Sequence, residues 1–276
     1  MYTSPAPQSA RSAVTVPMLL QMKRNRERIA TLTAYDASFA RAMGHAGIDA
    51  VLVGDSLGMV IKGGANTVSV SIDDMVYHSR CVAQGLQSAL LIADMPFQSY
   101  ATPERALDAA TALLSEGMAS MVKLEGAGFV LDAIAFLSER DIPVCAHLGL
   151  TPQSVLKLGG FKVQGRDEQA ALAIIEQAKQ VERAGAQLLV LECLPSSLAK
   201  SVTETVGIPT IGIGAGPDCD GQILVSYDAL GINSGHRRPR FVKDFLAGNG
   251  SIDAAFAQYV RDVKSGEFPS LEHGYA

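Results

Sequence analysis

Residues 89–126 read ALLIADMPFQSYATPERALDAATALLSEGMASMVKLEG, and this stretch decides the fold. Two apolar runs, LLIA and MV, flank a segment with helical punctuation. Thr102 can cap a helix, Pro103 suits its first position, Leu107, Ala110 and Leu114 share one face, and Gly117 ends it. Apolar runs without polar alternation are typical of strands covered on both faces. The stretch therefore predicts a parallel strand–helix–strand unit.

The same alternation recurs along the chain. The candidate strands lie at 29–36, 49–56, 89–97, 120–126, 143–150, 187–195, 209–216 and 222–231. Eight strand–helix alternations predict an α/β fold, a closed (β/α)8 TIM barrel, with an open doubly wound sheet as the alternative. We expect a flexible tail at 1–14 and one barrel domain at 15–276, closed by a C-terminal helical extension from residue 251.

The amino-acid composition disfavours some classes of binding partner. The 276 residues carry 23 Lys plus Arg against 28 Asp plus Glu, a net charge of -5, which disfavours nucleic-acid binding. No run of about 18 apolar residues or signal peptide is present, so we expect a cytoplasmic protein without a membrane partner. The four cysteines form no Cys-x-x-Cys pair, which favours reduced thiols. The basic run at 23–28 is interpreted as a solvated helix face, with a polyanion contact as the alternative.

Polar residues stand where the candidate strands end, which is where barrels place their chemistry. The residues at these ends are Tyr35, Asp36, Asp55, Ser56, Asp94, Lys123, Glu125, His147, Glu192, Gly214 and Asp228, of which all but Gly214 are polar. Carboxylates directly after apolar runs are costly to bury unpaired. The pattern therefore predicts that these side chains face one polar cavity at the barrel mouth.

Three of the acids come from consecutive strand ends and offer only oxygen ligands. Asp55, Asp94 and Glu125 predict a hard-cation site, Mg2+ rather than zinc, with room for a chelating substrate. The alternative is that they cap helices or pair with Lys123. Lys123 lies on the same side of its strand as Glu125, so it is predicted to hold a substrate carboxylate or developing enolate, or to form a structural salt bridge.

Glu192 is the predicted general base. It ends the apolar run QLLVL, and such surroundings raise the pKa of a carboxyl group. Alternatively, Glu192 is bonded to a backbone amide or to His147. His147 itself is predicted either to hydrogen-bond a substrate oxygen or to brace the shell around the metal.

Three further segments have weaker interpretations. GIGAG at 212–216 occurs where many barrels bind phosphate, but close packing or space for a bulky flat ligand is at least as well supported. Residues 157–167 suggest a flexible loop over the mouth. Residues 235–243 form a basic patch for an anionic cosubstrate or another subunit, with a solvated surface as the alternative for both.

Nine motifs, in order, resemble the ketopantoate hydroxymethyltransferase family over roughly residues 17–265. They are TAYDASFA, VLVGDSLGMV, DDMVYH, ADMPFQSY, VKLEG, AHLGLTPQSV, LECLP, GIGAG and DGQILV. The resemblance implies a barrel of the phosphoenolpyruvate/pyruvate type and hydroxymethyl transfer from 5,10-methylenetetrahydrofolate to 3-methyl-2-oxobutanoate, giving ketopantoate for pantothenate and coenzyme A synthesis. It further implies Mg2+ at Asp55 and Asp94 with Glu125 in its shell, the 2-oxoacid held with Ser56 and Lys123, and Glu192 as base.

Two segments depart from the family pattern, namely KGGANTVSVS at 62–71 and PDCDGQ at 217–222, which puts the loop contacts at 62–71 in doubt. The resemblance also implies a homo-oligomer, up to a decamer. The rival functions are a Mg2+-dependent carbon–carbon lyase or aldolase acting on a pyruvyl substrate, and a non-catalytic barrel that binds a 2-oxoacid.

Overall fold

Eight parallel strands form a closed barrel in the computed structural model, which describes residues 12–232 and 238–276. The strands are β1 (Ile29–Thr33), β2 (Ala50–Val53), β3 (Leu90–Asp94), β4 (Met121–Glu125), β5 (Val144–Gly149), β6 (Leu188–Glu192), β7 (Thr210–Ile213) and β8 (Gly221–Leu224). Each pairs with the next, and β8 pairs with β1. The predicted barrel is confirmed, and the open sheet is wrong.

Helices surround the barrel and occupy its connections. They are α1 (Val16–Asn25), α2 (Ala37–Ala46), α3 (Leu57–Val60), α4 (Ile72–Gly85), α5 (Pro103–Ser115), α6 (Val130–Ser138), α7 (Val155–Leu158), α8 (Glu168–Arg183), α9 (Ser196–Thr205), α10 (Ser226–Ala229) and α11 (Ile252–Ser265). Short 3-10 turns cover Pro152–Ser154 and Leu271–His273. One expectation fails, because the connection from β7 to β8, residues 214–220, contains no helix.

Helix α5 begins as its sequence predicts. The Thr102 side chain accepts a hydrogen bond from the Arg105 N–H at 3.3 Å, and Pro103 is the first helical residue. The apolar face is rotated slightly from the predicted one, since Leu107 and Leu114 are only partly buried. The fully buried side chains of the helix are Ala106, Ala109, Ala110 and Leu113. Small residues here let α5 approach the strands closely.

The barrel interior is apolar at one end and polar at the other. Alternate residues of a strand point inward, so Met121, Lys123 and Glu125 of β4 follow one another along the inside. The apolar layer is one buried cluster to which every strand contributes, together with Leu19 and Met22 of α1. Helix α1 therefore closes the amino-terminal end, and the polar residues are left at the carboxyl end.

Lys23 of α1 does not belong to a solvated face. Its Nζ donates to Thr203 O at 3.0 Å and to Ile208 O at 2.9 Å, and it pairs with the Asp220 carboxylate at 2.9 Å. Arg24 is exposed as predicted. The interpretation of the basic run is thus wrong for Lys23, because this side chain reaches the strands at the closed end of the barrel.

The beginning of the predicted tail, residues 1–11, lies outside the described residues. At its other end Val14 is 5% exposed, and its N–H donates to Ser88 O at 2.7 Å. None of the described helices is both long enough and apolar enough to cross a bilayer. The four cysteines are free thiols.

Candidate active site

A cavity of about 760 Å³ opens at the carboxyl end of the barrel. All seven residues predicted for the site line it, namely Asp55, Ser56, Asp94, Lys123, Glu125, His147 and Glu192. They come from the ends of β3, β4 and β6, the middle of β5 and the turn that follows β2. Barrel closure alone brings them together, because each strand contributes only one or two.

Lys123 forms a buried ion pair with Asp94. Its Nζ lies 2.5 Å from Asp94 Oδ1 and 3.9 Å from Glu125 Oε1, and both partners of the short pair are 4% exposed. Burial lowers the pKa of Lys123, but the carboxylates of Asp94, Glu125 and Asp55 outweigh burial and raise it above its usual value. Lys123 is therefore positively charged on the cavity floor. The salt bridge that the sequence left as an alternative role for Lys123 is formed with Asp94.

Asp55 and Asp94 are adjacent buried carboxylates, and Lys123 is in direct contact only with Asp94 of the two. The backbone N–H of Asp55 donates to Asp94 Oδ2 at 3.0 Å, which fixes the Asp94 carboxylate against the turn after β2. Burial, with the adjacent charges of Asp94 and Glu125, raises the pKa of Asp55 well above its usual range. Burial also raises the pKa of Asp94, against the opposing effect of Lys123. Such repulsion between buried carboxylates is relieved by a cation or by a proton.

Gln153 joins these acids and was missed from the sequence. Its Nε2 donates to Asp55 Oδ2 at 2.9 Å and to Met95 O at 3.0 Å, and its backbone N–H donates to Glu125 Oε2 at 2.9 Å. Its own carbonyl accepts from Tyr100 OH at 2.6 Å. The available signal was a polar side chain after Pro152, in the turn that directly follows β5.

His147 stands between two carboxylates. Its Nδ1 lies 3.5 Å from Glu125 Oε1 and its Nε2 lies 3.3 Å from Glu192 Oε2, without hydrogen-bond geometry in either contact. Burial and Lys123 lower the pKa of His147, but the two carboxylates prevail and raise it to about 9. The imidazole is therefore cationic at neutral pH and links Glu125 to Glu192 electrostatically.

The carboxylate oxygens of the cavity floor are the type of ligand that a divalent cation prefers. Glu125 Oε1 is buried and has no hydrogen-bond partner, and it lies in the same cavity as Asp55 and Asp94. The described residues nevertheless contain no group of three or more His, Cys, Asp or Glu side chains placed to hold one ion. Magnesium needs only one or two carboxylates with waters and substrate. The three-carboxylate set therefore stays a prediction.

Two of the strand-end residues have other roles. Asp36 caps α2, where its Oδ1 accepts from the N–H groups of Ser38 at 2.7 Å and Phe39 at 3.0 Å. Tyr35 OH lies 2.9 Å from Ser56 Oγ and supports that residue. Neither Tyr35 nor Asp36 lines the cavity, so the expectation that all strand-end polar groups face it is wrong for these two, whereas Asp228 does line it.

Loops complete the outer part of the cavity. Phe161, Lys162 and Val163 of the predicted loop at 157–167 line the mouth. Of the predicted basic patch, residues 235–237 lie outside the described residues, while Arg238–Phe241 line the cavity. Tyr275 also lines it and had no sequence signal. The mouth therefore combines aromatic and cationic side chains, in contrast to the acidic floor.

Comparisons with known proteins agree with the sequence motifs. The family model for ketopantoate hydroxymethyltransferase matches residues 13–271. A 3-methyl-2-oxobutanoate hydroxymethyltransferase of Stenotrophomonas maltophilia is 59% identical over 262 residues, 95% of this chain and 96% of the relative. One of Shewanella loihica is 57% identical over 265 residues, 96% and 100% of the two chains.

Solved structures share the barrel at low sequence identity. Phosphonopyruvate hydrolase in complex with oxalate and Mg2+ is 15% identical with a TM-score of 0.61, and the match covers 94% of this chain and 93% of that one. A 2,3-dimethylmalate lyase of the PEP mutase/isocitrate lyase superfamily is 19% identical with a TM-score of 0.58, over 79% and 82% of the chains. These likenesses establish the fold of this chain.

Proposed function

The chain belongs to the ketopantoate hydroxymethyltransferase family, and we propose that it transfers the one-carbon unit of 5,10-methylenetetrahydrofolate to 3-methyl-2-oxobutanoate in the cavity described above. The family makes it a transferase whose product is ketopantoate. The donor, the metal and the role of each residue are the parts that need testing.

The cavity floor is suited to a small 2-oxoacid. Lys123 supplies a buried positive charge for the carboxylate, and Ser56, held by Tyr35, supplies a hydroxyl group. Asp55 and Asp94, with Glu125 nearby, are the residues that would hold Mg2+. When bound, Mg2+ would act as a Lewis acid on the 2-oxoacid and acidify its C3 hydrogen.

Glu192 is the proposed base, and His147 is its positioning residue. Glu192 is the last residue of β6, its side chain is 15% exposed, and it lines the cavity next to His147. His147 Nε2 lies 3.3 Å from Glu192 Oε2, so the imidazole ring holds this carboxylate in place at the cavity. The position of Glu192 at the cavity, against His147, is the observation that carries the proposal.

The reaction balances with these groups. Glu192 accepts the C3 proton, C3 forms a bond to the one-carbon unit, and the bonds from that carbon to the folate nitrogens break. Water supplies the hydroxyl group of the new hydroxymethyl group. The other proton of the water and the proton that Glu192 took from C3 go to the two folate nitrogens, so tetrahydrofolate leaves and the Glu192 carboxylate is restored. No oxidant or reductant is needed, because the donated carbon is at the oxidation level of formaldehyde.

Exchange of the C3 hydrogen of 3-methyl-2-oxobutanoate in D2O tests the base directly. We expect Glu192→Gln to lower the exchange rate at least about 100-fold, since a positioned base contributes that much, while Mg2+ with the oxoacid still binds in calorimetry. Glu204→Gln, a change at an exposed glutamate of α9, is the control and should leave exchange unchanged. Exchange at the wild-type rate in Glu192→Gln would exclude Glu192 as the base.

Product formation with and without 5,10-methylenetetrahydrofolate separates this function from its rival. A lyase or aldolase acting on a pyruvyl substrate would turn over without the folate, whereas the proposed transferase would not. Light scattering of the purified protein tests the homo-oligomer that the family resemblance implies.

A further inference from the structure

The 270–276 segment packs against the rim of the barrel beside β7. The carbonyl oxygen of Tyr275 accepts from the Ser196 N–H at 2.9 Å and from Ser196 Oγ at 3.1 Å. A parallel bridge joins Pro195 to Tyr275. These contacts fix the backbone of Tyr275 at the amino-terminal end of α9, which begins four residues after Glu192 ends β6.

Glycines make room for this contact. A Cβ on Gly216 would lie 2.4 Å from Ser196 Oγ, and one on Gly274 would lie 2.6 Å from the same atom. Either side chain would displace the hydroxyl group that holds Tyr275. Gly216 is the last residue of GIGAG, so this motif packs against the 270–276 segment, which is the close-packing alternative raised from the sequence.

Gly214, in the middle of the same motif, lies under two aromatic rings. Its backbone has φ of +60°, and a Cβ there would lie 2.7 Å from Phe241 Cδ1 and 3.2 Å from Tyr275 Cε2. Both rings also line the cavity. The absence of a side chain at Gly214 therefore lets Phe241 and Tyr275 settle next to each other on the rim.

The two ends of the cavity differ in chemistry. The floor holds the buried charges of Asp55, Asp94, Lys123 and Glu125, and the mouth holds Phe161, Phe241 and Tyr275 together with Lys162 and Arg240. A volume of about 760 Å³ is that of a site for a drug-sized ligand, far more than a five-carbon acid fills. The mouth is left for a second, larger molecule with a flat ring and negative charge.

We propose that Phe241 and Tyr275 form the surface on which the pterin ring of the one-carbon donor stacks, an inference that rests on the proposed function. Aromatic faces bind flat heteroaromatic rings by stacking. Lys162 and Arg240 at the same mouth suit the carboxylates of the donor's glutamyl part. Tyr275 and Glu192 line the same cavity, and the backbone of Tyr275 is bridged to Pro195, which is three residues after Glu192. The ring surface is thus beside the base.

Steady-state kinetics with both substrates test the assignment. We expect Tyr275→Leu and Phe241→Leu each to raise the KM for 5,10-methylenetetrahydrofolate about tenfold, the change that a loss of about 1.4 kcal/mol of stacking produces. Tyr275→Phe keeps the ring and should stay within about twofold of wild type. The exchange of the oxoacid C3 hydrogen in D2O does not require the folate donor. We expect its rate to be unchanged in all three variants, which would show that the floor of the site is intact.

Leu271→Ala is the control within the same segment, since Leu271 is 83% exposed. It should leave both KM values unchanged. A KM for 5,10-methylenetetrahydrofolate within twofold of wild type in both leucine variants would overturn the inference. A loss of C3 exchange that accompanies the rise in this KM would also overturn it, because the rings would then be structural supports of Glu192. A wild-type protein without donor-dependent turnover would instead overturn the proposed function and this inference with it.

Discussion

The charged side chains of this site are stabilised mainly by ion pairs and hydrogen bonds with other side chains of the same site. Lys123 is paired with Asp94, His147 lies between Glu125 and Glu192, and Gln153 binds Asp55. Burial of so many charges is tolerable only because almost every one has a partner. The exceptions among these groups are Glu125 Oε1 and the two ring nitrogens of His147, which have no hydrogen-bond partner. The excess of carboxylates on the floor is negative charge that a bound cation would neutralise.

Gln153 offers a test of this network at the scale of one residue. Gln153→Leu keeps the side-chain volume but removes two donors, one of them to the buried Asp55 carboxylate. We expect the free energy of unfolding to fall by about 3 kcal/mol, because a buried charged acceptor loses its partner. Urea denaturation measures the change.

Gln169→Leu on α8 is the matched control, since Gln169 is exposed and its replacement should change the free energy of unfolding by less than about 0.5 kcal/mol. Equal stabilities for Gln153→Leu and Gln169→Leu would mean that the Gln153 amide contributes nothing net to the fold.

Secondary-structure elements were the most predictable level of this molecule. All eight strands occur where apolar runs predicted them, because a strand buried on both faces must be apolar along its whole length. Helix α5 begins at Pro103 as its cap predicts. The missing helix between β7 and β8 was not predictable, since seven residues suffice to connect these strands and the glycines there are engaged by Ser196, Phe241 and Tyr275.

Helix α4 begins with a capping box whose contribution to the free energy of unfolding depends on pH. Asp74 accepts from the Ser71 N–H at 2.9 Å, Ser71 Oγ accepts from the Asp74 N–H at 3.2 Å, and Lys62 pairs with Asp74 at 2.8 Å. Lys62, followed by the Ser71 amide, lowers the pKa of Asp74 from 3.8 to about 2. A lowered pKa means that the ionised form is the one the fold stabilises, so its contribution is present above pH 3.8 and is lost as the pH falls towards 2.

We therefore expect Asp74→Ala to lower the free energy of unfolding by about 1 kcal/mol at pH 7, and this difference from wild type to shrink as the pH falls below 3.8. Asp73→Ala, in the same first turn but exposed, controls for the helix dipole. A difference that stayed constant from pH 7 to pH 2.5 in denaturant titrations would contradict an ionised cap.

At the scale of the whole molecule, α1 closes the end of the barrel away from the active site. Leu19 is 1% exposed and belongs to the interior cluster. Lys23 joins α1 to the end of α9, to the residues before β7 and to Asp220 before β8. This side chain ties together the part of the barrel where no helix connects the two strands.

Replacing Lys23 should weaken the fold without affecting chemistry. We expect Lys23→Met to lower the free energy of unfolding by about 3 kcal/mol, because the mostly buried Asp220 loses its charge partner and two carbonyls lose a donor. Donor-dependent kcat should not change, since Lys23 lies at the opposite end of the barrel. Arg24→Met at the exposed neighbouring position is the control, and equal stability of the two variants would show that Lys23 is dispensable.

The sequence by itself determined the barrel and the acidic floor, because both follow from local patterns of apolar and polar residues. An apolar run predicts a strand, and the residue at its end lies at the carboxyl edge of the sheet wherever that strand goes. Asp55, Asp94, Lys123, Glu125, His147 and Glu192 were found in this way. Only the tertiary structure decided the contacts of Gln153 with Asp55, Lys23 with Thr203 and Ser196 with Tyr275, which join residues 98, 180 and 79 positions apart. Such pairs leave no periodic trace, since their meeting depends on how the closed barrel brings distant loops to one rim.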